Sequence, residues 1–132
     1  MKKTKPAELT GTEWAILKAV WDRQPCTAPD VTEALDESKG WAYSTVHTLM
    51  DRMVEKGLLV SEKLRRMDIY RPAITRRQAQ KRELLYALKH AFDNALTPMM
   101  QCLLETRELS AEELSELEAV LKQKRKQAGA KE

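Results

Sequence analysis

The sequence has few glycines, cysteines and histidines, which many catalytic and metal sites need. Among 132 residues there are four glycines, two cysteines and two histidines, with no phosphate-cradling glycine loop and no nucleophile elbow. Cys26 and Cys102 are too far apart in sequence for a metal-ligand spacing. We therefore expect a protein that is not an enzyme, needs no cofactor or metal, and keeps both thiols reduced.

Long apolar segments are also missing. No apolar run approaches the roughly 18 residues that a membrane span needs, and the basic start MKKTKPAELTGTE is not followed by an apolar stretch. We expect no membrane insertion, no signal peptide and a cytoplasmic location. Hydrophobic residues still make up 42% of the chain, which is enough for a folded core.

Positive charge is concentrated in one part of a chain whose net charge is only +3. Between residues 39 and 77, nine bases against four acids give a local charge of +5, the kind of footprint expected for phosphate contact. The bases are Lys39, Arg52, Lys56, Lys63, Arg65, Arg66, Arg71, Arg76 and Arg77, and the acids are Asp51, Glu55, Glu62 and Asp68.

The first two helices have clear sequence signals at their starts. Thr10 and Glu13 form a capping box, in which each side chain bonds to a backbone N–H of the first turn, and Pro25 ends that helix. Thr27 caps a short second helix, which has a proline and an acid in its first turn.

A third helix is predicted from Tyr43 to Lys56, with Gly57 as a left-handed cap. Its apolar residues share one face: Val46, Leu49, Met50, Met53 and Val54. The opposite face carries groups that can hydrogen-bond base edges and phosphates: Ser44, Thr45, His47, Thr48, Asp51 and Arg52. Thr45 and Thr48 lie at the inner edge of this face, so packing is an alternative role for one of them.

The three tryptophans allow two interpretations, a core role or a stacking platform for single-stranded nucleic acid. Trp14 and Trp21 fall on the apolar stripe of the first helix, so we expect both in the core. Trp41 precedes the third helix, and we expect it either to pack at that N-terminus or to face a phosphate.

After Gly57 the pattern changes toward alternation. Residues 58–64 and 67–72 both alternate, and Arg65-Arg66 lies between them, which predicts a β-hairpin with a basic tip. The loop lacks Asn-Gly and Asp-Gly, so its turn type stays open.

The rest of the chain is predicted to be helical. A long helix runs from Arg76 to about Leu96 and is broken or kinked by Pro98, and a shorter helix follows. Ser110 and Glu113 form a second capping box that opens the last helix. The charged tail KQKRKQAGAKE is expected to fray.

Three helices followed by a hairpin predict a winged helix-turn-helix over residues 1–74, mainly α with a small β-hairpin wing. The third helix then lies in the major groove of double-stranded operator DNA. The expected contacts of this recognition helix are Tyr43, Ser44, Thr45, His47, Thr48 and Arg52. Those of the wing and its flanks are Lys39, Lys63, Arg65 and Arg66. The alternative is a winged helix that docks proteins without sequence-specific DNA binding, which the local charge disfavours.

Residues 75–132 carry more large apolar side chains than their few helices can bury. A buried leucine contributes roughly 1.5–3 kcal/mol, so we expect another surface to cover them. The tail either folds back on the N-terminal domain or forms a homodimer, and we favour the homodimer because one recognition helix alone gives little specificity. The expected dimerisation residues are Leu84, Leu85, Leu88, Phe92, Leu96, Met99, Met100, Leu103, Leu104, Leu114, Leu117 and Leu121.

The chain resembles the BlaI/MecI penicillinase-repressor family, because it contains that family's sequence features in the same order along the chain. The run LTGTEWAIL from Leu9 is similar to the family's opening L-t/s-x-x-E-W-x-v-M/L, and Trp21 to the tryptophan at that helix's end. Residues 26–31, CTAPDV, look like the family's entry to the second helix. The most specific match is WAYSTVHTLMDRMVEKG, residues 41–57, which is similar to W-x-x-x-T-V/I-x-T-L-L-x-R-L-x-x-K-G. The resemblance extends to about Leu121.

The resemblance implies a dimeric bacterial repressor that binds palindromic operators of β-lactamase or penicillin-binding-protein genes. It also implies release by a sensor-linked protease that cuts within the dimerisation region, here around Gln101, Cys102 and Leu103. Members that respond to β-lactams carry an Asn-Phe bond there, and this chain has no Asn-Phe pair, so release by proteolysis stays open. Copper-responsive relatives have closely spaced cysteine pairs, whereas this tail has only Cys102, so copper sensing is not expected.

Overall fold

The computed structural model describes residues 9–131, and the chain divides into two units, one ending at Ala87 and one beginning at Leu88. The basic start of the chain, on which the expectation about a signal peptide rests, lies outside the described residues. The elements are α1 (Gly11–Arg23), α2 (Ala28–Ala34), α3 (Tyr43–Glu55), β1 (Leu59–Leu64), β2 (Met67–Pro72), α4 (Arg76–Phe92), α5 (Leu96–Thr106) and α6 (Ala111–Lys131).

Both α1 and α2 begin at a capping box. Thr10 Oγ1 accepts from the Glu13 backbone N–H (3.1 Å), and the Thr10 N–H donates to Glu13 Oε1 (3.0 Å). Thr27 and Asp30 form the same reciprocal pair, at 3.2 and 3.0 Å. The predicted starts of both helices are confirmed, and each pair satisfies backbone donors that a helix leaves open in its first turn.

The C-terminus of α3 has the left-handed cap that the sequence predicts. Gly57 has φ +85°, and its N–H donates to the Val54 carbonyl (3.0 Å), while the Leu58 N–H donates to the Met53 carbonyl (2.9 Å). This pair of hydrogen bonds is a Schellman motif. It turns the chain so that Leu58 and Leu59, both buried, enter the core at the start of the hairpin.

The first unit is built around a core that includes side chains from α1–α4 and the hairpin. Its buried members include Ile16, Leu17, Val20, Val31, Val46, Met50, Met53, Leu58, Leu59, Tyr70 and Ala79. Trp14 and Trp21 pack against it with their ring centroids 6.0 Å apart. Their indole N–H groups donate to Glu83 Oε1 (2.9 Å) and to the Ile74 carbonyl (3.0 Å), respectively. The core interpretation of both is confirmed, and Trp41 packs against the same core.

The hairpin formed by β1 and β2, called the wing below, closes on a two-residue loop. Arg65 and Arg66 have φ of +51° and +70°, which defines the type I′ turn that the sequence left open. Left-handed backbone costs a residue other than glycine roughly 1–2 kcal/mol. Backbone hydrogen bonds in both directions between Cys26 and Tyr70 (3.1 and 2.7 Å) attach the wing to the segment after α1.

A capping box that the sequence analysis missed opens α4. Thr75 Oγ1 accepts from the Gln78 N–H (3.0 Å), and Gln78 Oε1 accepts from the Thr75 N–H (2.9 Å). Ala79 is buried one turn later, and Glu83 bonds to Trp14. The N-terminal part of α4 therefore packs within the first unit, which extends beyond residue 74.

The sequence predicts that the long helix runs to about Leu96 and is broken or kinked by Pro98, and this position is wrong. α4 ends at Phe92, and Asp93 and Asn94 follow with left-handed φ of +51° and +66°. Pro98 lies in the first turn of α5, where a backbone N–H has no intrahelical partner to lose.

The last helix, α6, begins at the predicted capping box. Ser110 Oγ accepts from the Glu113 N–H (3.1 Å), and the Ser110 N–H donates to Glu113 Oε1 (3.2 Å). Hydrogen bonds to the Glu113 carboxyl, mainly from Arg107 and then from the Ser110 N–H, hold its pKa below the ordinary value. The charged tail expected to fray is helical as far as Lys131, where α6 ends, and apart from Gly129 its residues favour helix. None of the helices in the described residues 9–131 combines the length and the apolar character of a membrane span.

Candidate nucleic-acid interface

The exposed face of α3 brings predicted DNA contacts together. Thr45, Thr48 and Arg52 recur at i, i+3 and i+7, so they form a stripe along the helix, and all three are exposed. Ser44 is exposed beside them, and Tyr43 is 50% exposed in the first turn. Because both threonines are exposed, the alternative in which one of them packs in the core is wrong.

The N-terminus of α3 differs from those of α1 and α2. Ala42 occupies the N-cap position and supplies no side-chain hydrogen bond. The first backbone N–H groups therefore have no side-chain acceptor within the described residues, at the positive end of the helix dipole. This arrangement binds phosphate at many helix N-termini. Sequence reasoning missed it, although alanine at an N-cap position is a usable signal.

Ion pairs neutralise part of the basic stretch. The pairs are Lys56 with Glu13, Lys63 with Asp68 (3.1 Å), Arg71 with Glu62 (2.6 Å) and Arg76 with Asp22 (3.3 Å). The remaining basic side chains of this stretch are exposed and form no ion pair with any described residue: Lys39, Arg52, Arg65, Arg66 and Arg77. The unpaired positive charge of this stretch thus lies mainly on α3, at the wing tip and in the turn before α3, where the sequence predicted DNA contacts.

A polar network connects α3 with the wing. His47 lies between two carboxylates, with Nδ1 3.3 Å from Asp51 Oδ2 and Nε2 3.3 Å from Asp68 Oδ2. Lys63 Nζ is 3.1 Å from the other oxygen of Asp68, and the Tyr70 O–H donates to Asp51 Oδ1 (2.9 Å). Two predicted DNA contacts, His47 and Lys63, therefore contact acids that are not themselves among the predicted DNA contacts.

Protonation states at the two ends of this network are set by its hydrogen bonds and by burial. Hydrogen bonds from Lys63 and His47 hold the pKa of the Asp68 carboxyl below its ordinary value. Burial, and then the bond to Asp51, raises the pKa of the Tyr70 phenol above its ordinary value. Near neutral pH, Asp68 therefore remains an ionised acceptor and Tyr70 a neutral donor.

Residues 9–123 match the family model described as penicillinase repressor. The chain belongs to the penicillinase repressor family. It is 25% identical over 116 residues to a penicillinase repressor from Bacillus licheniformis, covering 88% of this chain and 91% of that protein. It is 21% identical over 120 residues to the methicillin resistance regulatory protein MecI from Staphylococcus aureus, covering 91% and 98%. The resemblance found in the sequence is confirmed.

This chain is also similar to a solved structure, that of the monomeric form of Bacillus licheniformis BlaI in complex with the blaP half-operator. The two chains are 25% identical, with a TM-score of 0.47 over 55% of this chain and 88% of that chain.

The residues predicted for dimerisation lie on α4, α5 and α6. Those that are exposed are Leu84, Leu85, Leu96, Met100, Leu103, Leu104, Leu114, Leu117 and Leu121, and those partly buried are Leu88, Phe92 and Met99. Exposed large apolar side chains in this number are more than the single scattered residues that need no explanation, which favours an interaction site. The positions that correspond to the family's cleavage region, Gln101, Cys102 and Leu103, are exposed within α5.

Proposed function

We propose that this chain is a transcriptional repressor that places α3 in the major groove of operator DNA and the wing tip on the flanking backbone. The observation that carries the proposal is the position of the basic side chains that form no ion pair. Lys39, Arg52, Arg65 and Arg66 are exposed and have no acidic partner within residues 9–131. Phosphate oxygens are the acceptors that such groups bind in protein–DNA complexes. Membership of the penicillinase repressor family supports the same function.

The stripe on α3 supplies groups that can read bases. An arginine at the position of Arg52 can donate two hydrogen bonds to a guanine, and the methyl groups of Thr45 and Thr48 can contact thymine methyls. Arg65 and Arg66 supply charge that fixes affinity and register without choosing a sequence. In this proposal, sequence choice therefore belongs to α3 and the wing contributes general affinity.

We also propose that two copies pair through the apolar surfaces of α4, α5 and α6. A second copy covers the same leucines symmetrically, as the commonest two-fold dimers do. Such a dimer presents two α3 helices to successive major grooves, about 34 Å apart along the duplex. The operator is therefore expected to be palindromic.

Cleavage at Gln101–Leu103 would separate α6 from the DNA-binding unit. If α6 helps to hold the dimer, the cut also uncouples the two half-sites and lowers affinity. These residues lie within a helix, and proteolysis usually requires local opening of the backbone, so α5 has to unwind before a sensor-linked protease can cut there.

Selection of bound duplexes from a random-sequence library tests this function. The enriched site should contain two inverted half-sites whose centres lie about 10 base pairs, or a multiple of that distance, apart. Arg52→Ala should relax the preference at one position in each half-site. The control is Lys18→Ala, which removes an exposed basic side chain of α1 and should select the same site as the wild type. Failure to enrich any duplex would refute operator binding, and enrichment of single half-sites would refute the dimer.

A further inference from the structure

The two contacts of His47 can both be hydrogen bonds only when its ring is protonated. Each ring nitrogen lies 3.3 Å from a carboxylate oxygen, that of Asp51 on α3 or that of Asp68 on β2. A carboxylate only accepts, and a neutral imidazole has one N–H, whereas an imidazolium has two. In the neutral ring, one nitrogen therefore faces a carboxylate lone pair with a lone pair of its own.

The same proton balances the charges around His47. The groups that face it or share its cleft of about 350 Å³ are Asp51 and Tyr43 of α3, Lys63, Asp68 and Tyr70 of the wing, and Arg66 at the wing tip, while the α2 side contributes Thr27, Ala28 and Pro29. With His47 neutral, two carboxylates in direct contact face one ammonium, that of Lys63. With His47 protonated, the four directly bonded charges cancel.

We propose that His47 is a proton-operated link between α3 and the wing, so that operator binding takes up a proton and tightens as pH falls. The link rests on the proposed function, because it concerns the two elements that contact DNA. The contact that crosses between the two elements is the one with Asp68. A neutral ring donates its single N–H either there or to Asp51, whereas protonated His47 donates to both and so always holds Asp68 of the wing. This holds both elements in one arrangement before DNA arrives and lowers the ordering cost of binding. It also removes excess negative charge from a surface that approaches phosphates.

A direct contact between His47 and a phosphate would also make binding tighter at low pH, and Asp68→Asn separates the two explanations. Asparagine is close in size to aspartate, and its amide can donate to a neutral imidazole or accept from its N–H. The contact between α3 and the wing is then satisfied equally by the neutral and the protonated ring. A direct phosphate contact, in contrast, keeps its full pH dependence when Asp68 is replaced.

The experiment measures the affinity of the full chain for the operator duplex enriched by selection, at constant ionic strength. Wild-type affinity should fall roughly three- to tenfold between about pH 5 and pH 8, since one linked proton changes affinity by at most about tenfold per pH unit. His47→Gln and Asp68→Asn should bind with little pH dependence. His90→Gln, which removes the chain's other histidine, should retain the wild-type profile. A flat wild-type profile, or a wild-type profile in Asp68→Asn, would overturn the link while leaving operator binding intact.

A second measurement needs no DNA and therefore stands even if operator binding fails. In the free, full-length protein, nuclear magnetic resonance should show the β2 amide signals titrating together with the His47 ring. The same amide signals should be nearly insensitive to that titration in Asp68→Asn. Wing signals that stay constant while the His47 ring titrates in the wild type would overturn the link, whatever the DNA result.

Discussion

At the scale of single residues, the wing tip carries charge where local backbone preferences favour other residues. Arg65 and Arg66 occupy the two left-handed positions of a type I′ turn, for which Asn-Gly is the preferred pair. Their guanidinium groups are exposed and form no ion pair with any residue in the described part of the chain. A strained turn that nevertheless presents two free cations is consistent with a phosphate-contacting role.

Replacing Arg65 with asparagine and Arg66 with glycine should separate stability from binding. The free energy of unfolding should rise by about 1 kcal/mol in urea titrations, because the new turn is unstrained. Affinity should fall equally for all duplexes, because phosphate contacts carry no sequence information. The matched control is Arg65→Ala with Arg66→Ala, which should lose the same affinity without the gain in stability. A changed sequence preference in either variant would show that the wing reads bases.

The cap of α3 gives a second test at this scale. Gly57→Ala should lower the free energy of unfolding by about 1 kcal/mol, because alanine is disfavoured at φ +85°. An added Cβ meets no described atom within 4 Å, so the cost is conformational. Gly11→Ala is the control, since its Cβ also meets no described atom and its backbone is helical. Equal losses in the two variants, measured by thermal unfolding, would argue against the left-handed cap as the cause.

At the scale of elements, most capping boxes could be predicted because they lie within one turn of helix, although the one at Thr75 was missed, and contacts between elements could not be predicted. The capping boxes at Thr10 and Ser110 join residues three positions apart, and both were predicted. The contact between His47 and Asp68 joins residues 21 positions apart. It depends on the register of the wing, which depends on a turn that Arg65-Arg66 does not identify from sequence.

The break between α4 and α5 shows why a proline was misleading. Proline disrupts a helix from its interior, and Pro98 lies in a first turn, which tolerates it. Asp93 and Asn94 carry the break, because their short polar side chains tolerate left-handed backbone. Adjacent Asp and Asn after a long apolar pattern were the sequence signal for this boundary.

Truncation tests the role of α4. A chain that ends at Ala87 should be a folded monomer with weak operator binding. A chain that ends at Arg76 should be less stable by about 2 kcal/mol or more, because it loses buried Ala79 and the Glu83 acceptor of the Trp14 indole. Urea unfolding compares the two stabilities, and sedimentation gives the mass. Equal stability would contradict this packing of α4, and a dimeric mass for the shorter chains would contradict dimerisation through the helical tail.

At the scale of the whole molecule, the proposal assigns DNA contact to the first unit and pairing mainly to the second. Neither is sufficient alone, since one α3 contacts a single half-site and the apolar surface of α5 and α6 carries no DNA contact in the proposal. Pairing makes the second half-site contact intramolecular, which raises the overall affinity without any new contact. Each protomer brings to the proposed interface four exposed basic side chains that have no acidic partner among the described residues: Lys39, Arg52, Arg65 and Arg66.

The salt dependence of binding to the selected operator duplex shows whether this chain binds DNA through these basic side chains. Phosphate contacts by Lys39, Arg65 and Arg66 in each protomer predict that log affinity falls linearly with log salt, with a slope of roughly 5 for the dimer, at about 0.9 per contact. Arg65→Ala with Arg66→Ala should reduce this slope by roughly two-thirds. A slope near zero, or no measurable binding to any duplex at low salt, would contradict the account.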